Sequence, residues 1–105
     1  AALAFAEQGL KEYELLAGLR SMGSTTPVDY EQLAGRTPNK YWEWALLTGA
    51  LYNLAHAHKG IGDLTAGQVA MRNRVRVAER LAAVDPEKWT NELHQAHDQA
   101  AAFGI

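Results

Sequence analysis

Residues 39–60 constrain the fold more than any other part of the chain. They read NKYWEWALLTGALYNLAHAHKG, with Trp42 and Trp44 close together at the start and apolar side chains for most of the remainder. On a helical wheel, one stripe contains Trp42, Leu46 and Gly49, and a second contains Trp44, Leu47 and Leu51. A helix that is apolar nearly all round is normally buried. We therefore expect either the central helix of a bundle or a helix with one face covered by another subunit.

Turn and cap residues divide the rest of the chain into helices. Asp85-Pro86 places a side-chain oxygen at an N-cap and a proline at the first helical position, and Thr26-Pro27 and Thr37-Pro38 repeat this pattern. Thr65 and Gln68 fit a capping box, and glycines follow several segments at C-terminal positions. The sequence predicts a single all-α domain over residues 1–105, a small bundle with a long central apolar helix and no sheet. Its five helices are expected at about 2–22, 27–34, 38–58, 65–83 and 86–102.

Composition limits the classes of function that this chain can have. It contains no cysteine, which excludes disulfides, thiolate metal ligands and a cysteine nucleophile within these 105 residues. The sequence contains no uninterrupted run of about 18 apolar residues, so no membrane span is predicted. The first residues do not resemble a signal peptide. A cytoplasmic location fits these features. The formal net charge of −2 argues against general binding to polyanions.

Three arginines form a basic stripe in the fourth predicted helix. Arg72, Arg76 and Arg80 follow one another at intervals of four residues and share one helical face. Like charges at this spacing are mildly destabilising in an isolated helix, so an acidic surface is expected to compensate for them. The stripe is either a solvated polar face or a docking edge for an acidic partner. A nucleic-acid contact is a third interpretation, although no aromatic residues interleave with the arginines.

No catalytic constellation is evident in the sequence. His56 and His58 are two residues apart and cannot share a metal from one regular helix, whereas His94 and His97 have a spacing that permits it. Surface histidine pairs at such spacing are common by chance, so no metal site is predicted in this chain. The sequence contains no recognisable nucleophile with its general base and no glycine-rich phosphate loop.

Two stretches, YWEWALLTGALYNL and GDLTAGQVAMRNRV, resemble the helical part of the β-type subunits of nitrile hydratases and thiocyanate hydrolases. Tyr41 and Trp42 match the aromatic pair that begins a long helix in that family. The resemblance covers roughly residues 15–80 and includes LAGLRSMGSTTPVDYEQL before the aromatic pair. It implies a β-type subunit in a split or truncated form, since the β-barrel of the full-length family members has no counterpart here.

In that family the metal, Co(III) or Fe(III), is bound by cysteines of the α subunit, and the β-type subunit closes the active site. The resemblance therefore implies a lyase complex that hydrates a nitrile or thiocyanate to the amide, with this chain inactive when isolated. It implies a substrate-pocket role for Tyr41 and Trp44. Partner contacts are then expected from the following residues: Trp42, Leu46, Tyr52, Arg72, Arg76 and Arg80.

The family also supplies an arginine that hydrogen-bonds the oxidised cysteine ligands. Its aligned position falls near Tyr30 and Glu31, where this chain has no arginine, so Arg20 or Arg36 is the expected substitute. Partners would be the cysteine-containing α subunit and a second β-type subunit. Two alternatives stay open: a metallochaperone-like activator that binds the α subunit transiently, and a helical DNA-binding regulatory module that uses residues 63–83.

Overall fold

The computed structural model describes residues 2–24, 26–35 and 41–105, and these ranges contain helices and turns but no strand. Four α-helices occur in the order α1 (Ala2–Leu16), α2 (Tyr41–Gly60), α3 (Leu64–Val84) and α4 (Pro86–Ala101). A short 3-10 helix, Tyr30–Gly35, lies between α1 and α2. The all-α fold class is therefore confirmed. No helix among the described residues is long and apolar enough to cross a membrane.

The prediction of five helices is wrong for the first third of the chain. The first helix ends at Leu16 rather than near residue 22, and the predicted helix over 27–34 is only the 3-10 helix. Thr26-Pro27 does not begin an α-helix. Asp85 does cap α4 as predicted, accepting a hydrogen bond from the Lys88 amide. Thr37 and Pro38 lie outside the described residues.

Three helices end in the same glycine-dependent turn, in which an amide three or four residues beyond the helix donates to the carbonyl five residues before it. The amide of Leu19 donates to the Glu14 carbonyl after α1, and that of Asp63 donates to the His58 carbonyl after α2. The glycine that precedes the donor has a positive φ in each case: Gly18 at 77° and Gly62 at 86°. Gly104 repeats the arrangement after α4. Asp63 then caps α3 by accepting from the Ala66 amide, so the predicted capping box at Thr65 is replaced by an aspartate cap.

The central helix of the bundle is α3 rather than α2. It packs against α2, α4 and the 3-10 helix, whereas α1 packs mainly against α2. Met71, Val77, Ala78 and Leu81 of α3 are fully buried. The expectation of a long central apolar helix at residues 38–58 is therefore only partly correct, because α3 occupies the centre.

One stripe of α2 is buried and another is exposed. Trp44, Leu47, Leu51 and Ala55 are at most 2% exposed and form the core against α1 and α3. Trp42 and Leu46 are exposed instead, and Gly49 and Asn53 continue the same exposed stripe. The described part of this chain therefore leaves Trp42 and Leu46 of the first stripe at least half exposed.

Candidate partner interface

The start of α2 presents the most exposed tryptophan of the chain to solvent. Trp42 is 69% exposed and Leu46, one turn later, is 50% exposed. The only ring contact described for Trp42 is a cation from α4, since Lys88 Nζ lies 4.6 Å from the indole centroid. A large apolar patch rimmed by polar residues is typical of a protein–protein contact. The structure thus leaves two predicted interface residues accessible to a partner.

Trp44 occupies a different environment although it is only two residues away. Trp44 is 2% exposed, and its indole N–H donates to the Ala17 carbonyl at 3.0 Å. This bond joins the start of α2 to the C-terminal turn of α1. A substrate could reach the Trp44 ring only if the core opened, so the described geometry gives Trp44 a role in positioning α2.

Two of the predicted site residues cannot be placed. The side chain of Tyr41, the predicted pocket residue, lies outside the described part of the structure, although its backbone begins α2. Arg36, one of the two predicted supporting arginines, also lies outside the described residues.

Arg20, the other predicted supporting arginine, belongs to a buried polar cluster with Glu14 and Tyr30. Arg20 donates from Nε and Nη2 to Glu14 Oε1, at 3.1 and 2.9 Å, while Tyr30 Oη donates to Glu14 Oε2 at 2.7 Å. Arg20 Nη1 also donates to the carbonyls of Ser24 and Thr26. All of these partners belong to this chain, so Arg20 fixes the loop after α1 onto that helix.

Burial and the Glu14 carboxylate act together on Tyr30. Desolvation raises the pKa of the Tyr30 phenol well above its ordinary value, and the hydrogen bond to Glu14 and the charge of Glu14 raise it further. The phenol therefore stays protonated and remains a donor to Glu14 throughout the physiological range. This property stabilises the contact between the 3-10 helix and α1.

The basic stripe of α3 is only partly available to a partner. Arg72 is exposed, and Arg80 is half-buried. Arg76 Nη2 lies 3.3 Å from Glu31 Oε1, and its Nη1 donates to Asn73 Oδ1. The expected acidic compensation is thus supplied, for Arg76, by the 3-10 helix of the same chain. Of these three arginines, Arg72 alone is exposed as a docking edge requires.

Arg74, Glu92 and Thr48 form a second polar cluster, which lies beside the half-buried ring of Tyr52. Arg74 is 4% exposed, and its Nη2 lies 3.3 Å from Glu92 Oε1, an oxygen that also accepts from Thr48 Oγ1. The Arg74 guanidinium carbon stacks 5.0 Å from the Tyr52 ring centroid. Burial lowers the pKa of Arg74, an effect that the negative charge of Glu92 opposes. Tyr52 is therefore half-buried by packing within the chain, which limits the interface role predicted for it.

Sequence reasoning missed both buried ion pairs. Arg20 was expected to support a partner's site and Glu14 was assigned no role, yet Gly18 turns the backbone so that residue 20 returns beside residue 14. Arg74 lies three residues from Met71 and from Val77, on the buried face of α3. A charged residue on an apolar face is a signal for a buried partner, and it could have identified Arg74.

The histidines are dispersed over the structure. His94 and His97 are exposed on α4, and His56 packs edge-on against Tyr52 and Phe103. The part of the chain that the structure describes contains no group of three or more histidine, aspartate or glutamate side chains that could hold a metal ion.

Comparison with known proteins adds no relative, since no family model, curated protein or solved structure matches this chain. The resemblance to nitrile hydratase β-type subunits consequently rests on the sequence stretches quoted above.

Proposed function

We propose that this chain is a non-catalytic β-type subunit of a nitrile hydratase-like complex in the cytoplasm. It would pack on the metal-bearing α subunit and help to enclose the pocket in which a nitrile or thiocyanate is hydrated to the amide. The observation that supports this proposal is the exposure of Trp42 and Leu46 at the start of α2. This is the same short stretch in which the sequence resembles the family.

The exposed aromatic start of α2 is suited to an intersubunit contact. Burial of apolar surface contributes roughly 25 cal/mol for each Å² removed from water. Tryptophan is also enriched among the residues that dominate binding energy at interfaces. Lys88 beside Trp42 adds a polar rim to the patch. Covering Trp42 and Leu46 would therefore contribute to association without any rearrangement of the core.

In this proposal the chemistry belongs to the partner. A Co(III) or Fe(III) ion held by the α subunit would act as a Lewis acid toward the nitrile or activate the attacking water. This chain would contribute Tyr41 to the pocket wall, and Trp44 would hold α2 in position through its bond to Ala17. Arg20 has no part in the proposal, because its guanidinium is committed to Glu14 and the following loop.

Native mass spectrometry of the complex purified from its natural operon, with metal analysis of the same sample, tests the proposal. A stable complex with a cysteine-containing chain and about one cobalt or iron per α subunit is expected. A metal-free monomer or homodimer would contradict it. An α subunit that associates only during metal loading would identify the chain as an activator instead.

A paired substitution links the test to the exposed patch. Trp42→Ala should weaken the complex, whereas Met22→Ala removes a side chain that is 90% exposed in the loop after α1 and should leave it intact. Equal affinity of both variants for the α subunit would exclude the start of α2 as the contact. For Tyr41, the Phe variant should lower turnover more than it weakens assembly, and unchanged turnover would remove Tyr41 from the pocket.

A further inference from the structure

A groove of about 450 Å³ runs between α1 and α2 on the exposed side of the molecule. The two helices are antiparallel, because the residue after α1 bonds to Trp44 near the start of α2, while Leu3 and Ala6 pack against the cluster that contains Leu54 and Ala55. The groove follows α1 from Phe5 to Tyr13 and α2 from Leu46 to Asn53. At a rise of 1.5 Å per residue, it extends for about 10–12 Å, or two helical turns.

The floor of the groove is formed by small residues, so the backbones of both helices are accessible. These residues are Ala6 and Gly9 on α1 with Gly49 and Ala50 on α2. A Cβ atom placed on Gly9 or Gly49 would meet no heavy atom of the described structure within 4 Å. Both glycines also have ordinary helical backbone, since neither is among the residues with positive φ. These glycines thus leave open space in the groove, and neither is needed for a turn.

Large apolar side chains flank this floor. Phe5 is 85% exposed on the α1 wall, which also includes Tyr13, and Leu46 is 50% exposed on the α2 wall. Isolated exposed hydrophobic residues are common, but a contiguous apolar groove indicates a binding surface. Apolar walls with a floor of small residues form a groove of the kind into which a third helix packs its ridge of side chains.

Glu12 is the one charged residue that lines the groove among those described. It is exposed, and its only described side-chain partner is Gln8, at 3.5 Å. The opposite wall contributes the neutral Asn53. An occupant with a lysine or arginine at its edge would therefore gain a favourable contact, whereas an acidic occupant would be repelled.

We infer that the α1–α2 groove binds a basic amphipathic helix of the partner protein. The inference rests on the proposed function only for the owner of that helix, which would be the α subunit. The helix places an apolar ridge over Gly9 and Gly49 and a basic residue next to Glu12. Phe5 and Leu46 then lose their exposure on binding, and the patch at Trp42 extends the contact by one turn.

A second copy of this chain fits the groove less well. A symmetric dimer would set two concave surfaces against each other and would bring the two Glu12 carboxylates to the same interface. A separate convex helix with basic residues avoids both problems. The charge and the shape of the groove therefore select a different protein as the occupant.

Gly49→Leu is the central variant for testing this inference. It fills the groove from its floor and replaces a glycine inside a helix by a better helix former, so folding should be unaffected or improved. Gly60→Leu is the matched control, because Gly60 is also in α2 with nothing within 4 Å of an added Cβ, but does not line the groove. Gly9→Leu blocks the same groove from the α1 side.

The first probe is a synthetic peptide of about 15 residues, near the minimum for an isolated helix. It carries leucines at helical spacing on one face and lysines elsewhere. Calorimetric titration should show that Gly49→Leu and Gly9→Leu weaken binding by at least about tenfold, while Gly60→Leu retains it. A matched peptide with glutamates in place of the lysines should bind more weakly to the native chain. Glu12→Lys should reverse this preference.

The second probe is the purified α subunit from the same operon. If Gly49→Leu binds neither the α subunit nor the lysine peptide, the result would support the groove as the binding site and the α subunit as the source of the bound helix. If the α subunit bound native chain and Gly49→Leu equally, the groove would be overturned while the proposed function stood. If only the peptide bound, the ligand chemistry would stand and the α subunit would be excluded as owner.

Analytical ultracentrifugation of the native chain tests whether the groove binds a second copy instead. The native chain should be monomeric at the chain concentrations used in the peptide titration. A dimer that Gly49→Leu dissociates and Gly60→Leu leaves intact would show that the groove binds a second copy, which overturns the inference.

Discussion

Two sides of α1 reverse the usual distribution of polar and apolar residues. Toward the 3-10 helix, α1 buries the carboxylate of Glu14 with Arg20 and Tyr30. Toward α2 it exposes Phe5 at the edge of an open groove. The buried charge is compensated within the chain by hydrogen bonds to both carboxylate oxygens. The exposed ring has no such compensation among the described residues, so this is the side that the proposed partner helix would cover.

Removal of Glu14 should produce the largest effect on stability. Glu14→Ala leaves the buried Arg20 charge without its carboxylate and leaves Tyr30 without its acceptor, so a loss of about 3–5 kcal/mol in the free energy of unfolding is expected. Urea denaturation measures it. Glu7→Ala is the control, because Glu7 is an exposed residue about two turns earlier in α1. It should shift the unfolding midpoint little. Equal midpoints for the two variants would show that the cluster does not stabilise the loop.

Tyr30→Phe should cost less, about 1.5–3 kcal/mol, because it removes a single hydrogen bond to a charged group. It should also change the pH dependence. The phenol has a raised pKa in the folded state, so the folded chain binds the proton more tightly than the unfolded chain. The stability from this group is therefore complete below the unfolded pKa of about 10 and is lost as the pH rises above it.

Thermal unfolding between pH 8 and 11 tests this linkage. The native chain should lose stability at the alkaline end more steeply than Tyr30→Phe does. Parallel curves for the two proteins would show that Tyr30 ionises in the folded state as readily as in the unfolded state.

The two tryptophans of α2 should respond differently to the same change. Trp44→Phe removes the donor to the Ala17 carbonyl in the core and should cost about 1–3 kcal/mol. Trp42→Phe, on the exposed stripe, should alter stability by no more than about 0.5 kcal/mol. Chemical denaturation followed by circular dichroism compares them. Similar losses in both variants would mean that Trp42 is covered in the isolated chain.

The smallest effect on stability, but the most specific effect on binding, is expected in the groove. Phe5→Ser exchanges an 85% exposed ring for a small polar group and should leave the unfolding midpoint within the error of a typical surface substitution. Binding of the lysine peptide should decrease nonetheless. A variant that lowered stability and left binding unchanged would place Phe5 in the core instead of in an interface.

Local signals in the sequence predicted the elements that depend on neighbouring residues. Asp85-Pro86 correctly marked the start of α4, and the positive φ of Gly62 fits the predicted break after residue 58. The first loop was predicted less well. Thr26-Pro27 carries the same local signal as Asp85-Pro86, but there the chain forms an irregular connection that Arg20 fastens to α1 through backbone carbonyls. A contact from outside the segment outweighed its capping preference.

The sequence by itself determined the helical class, the absence of cysteine chemistry and the two apolar stripes of α2, because these follow from residue type and spacing along one helix. Only the tertiary structure decided which stripe is buried, since that depends on where α1 and α3 pack. It alone also paired Glu14 with Arg20 and Tyr30, and Arg74 with Glu92. Such pairs require segments to meet in space, and periodicity along a single helix carries no information about what lies opposite.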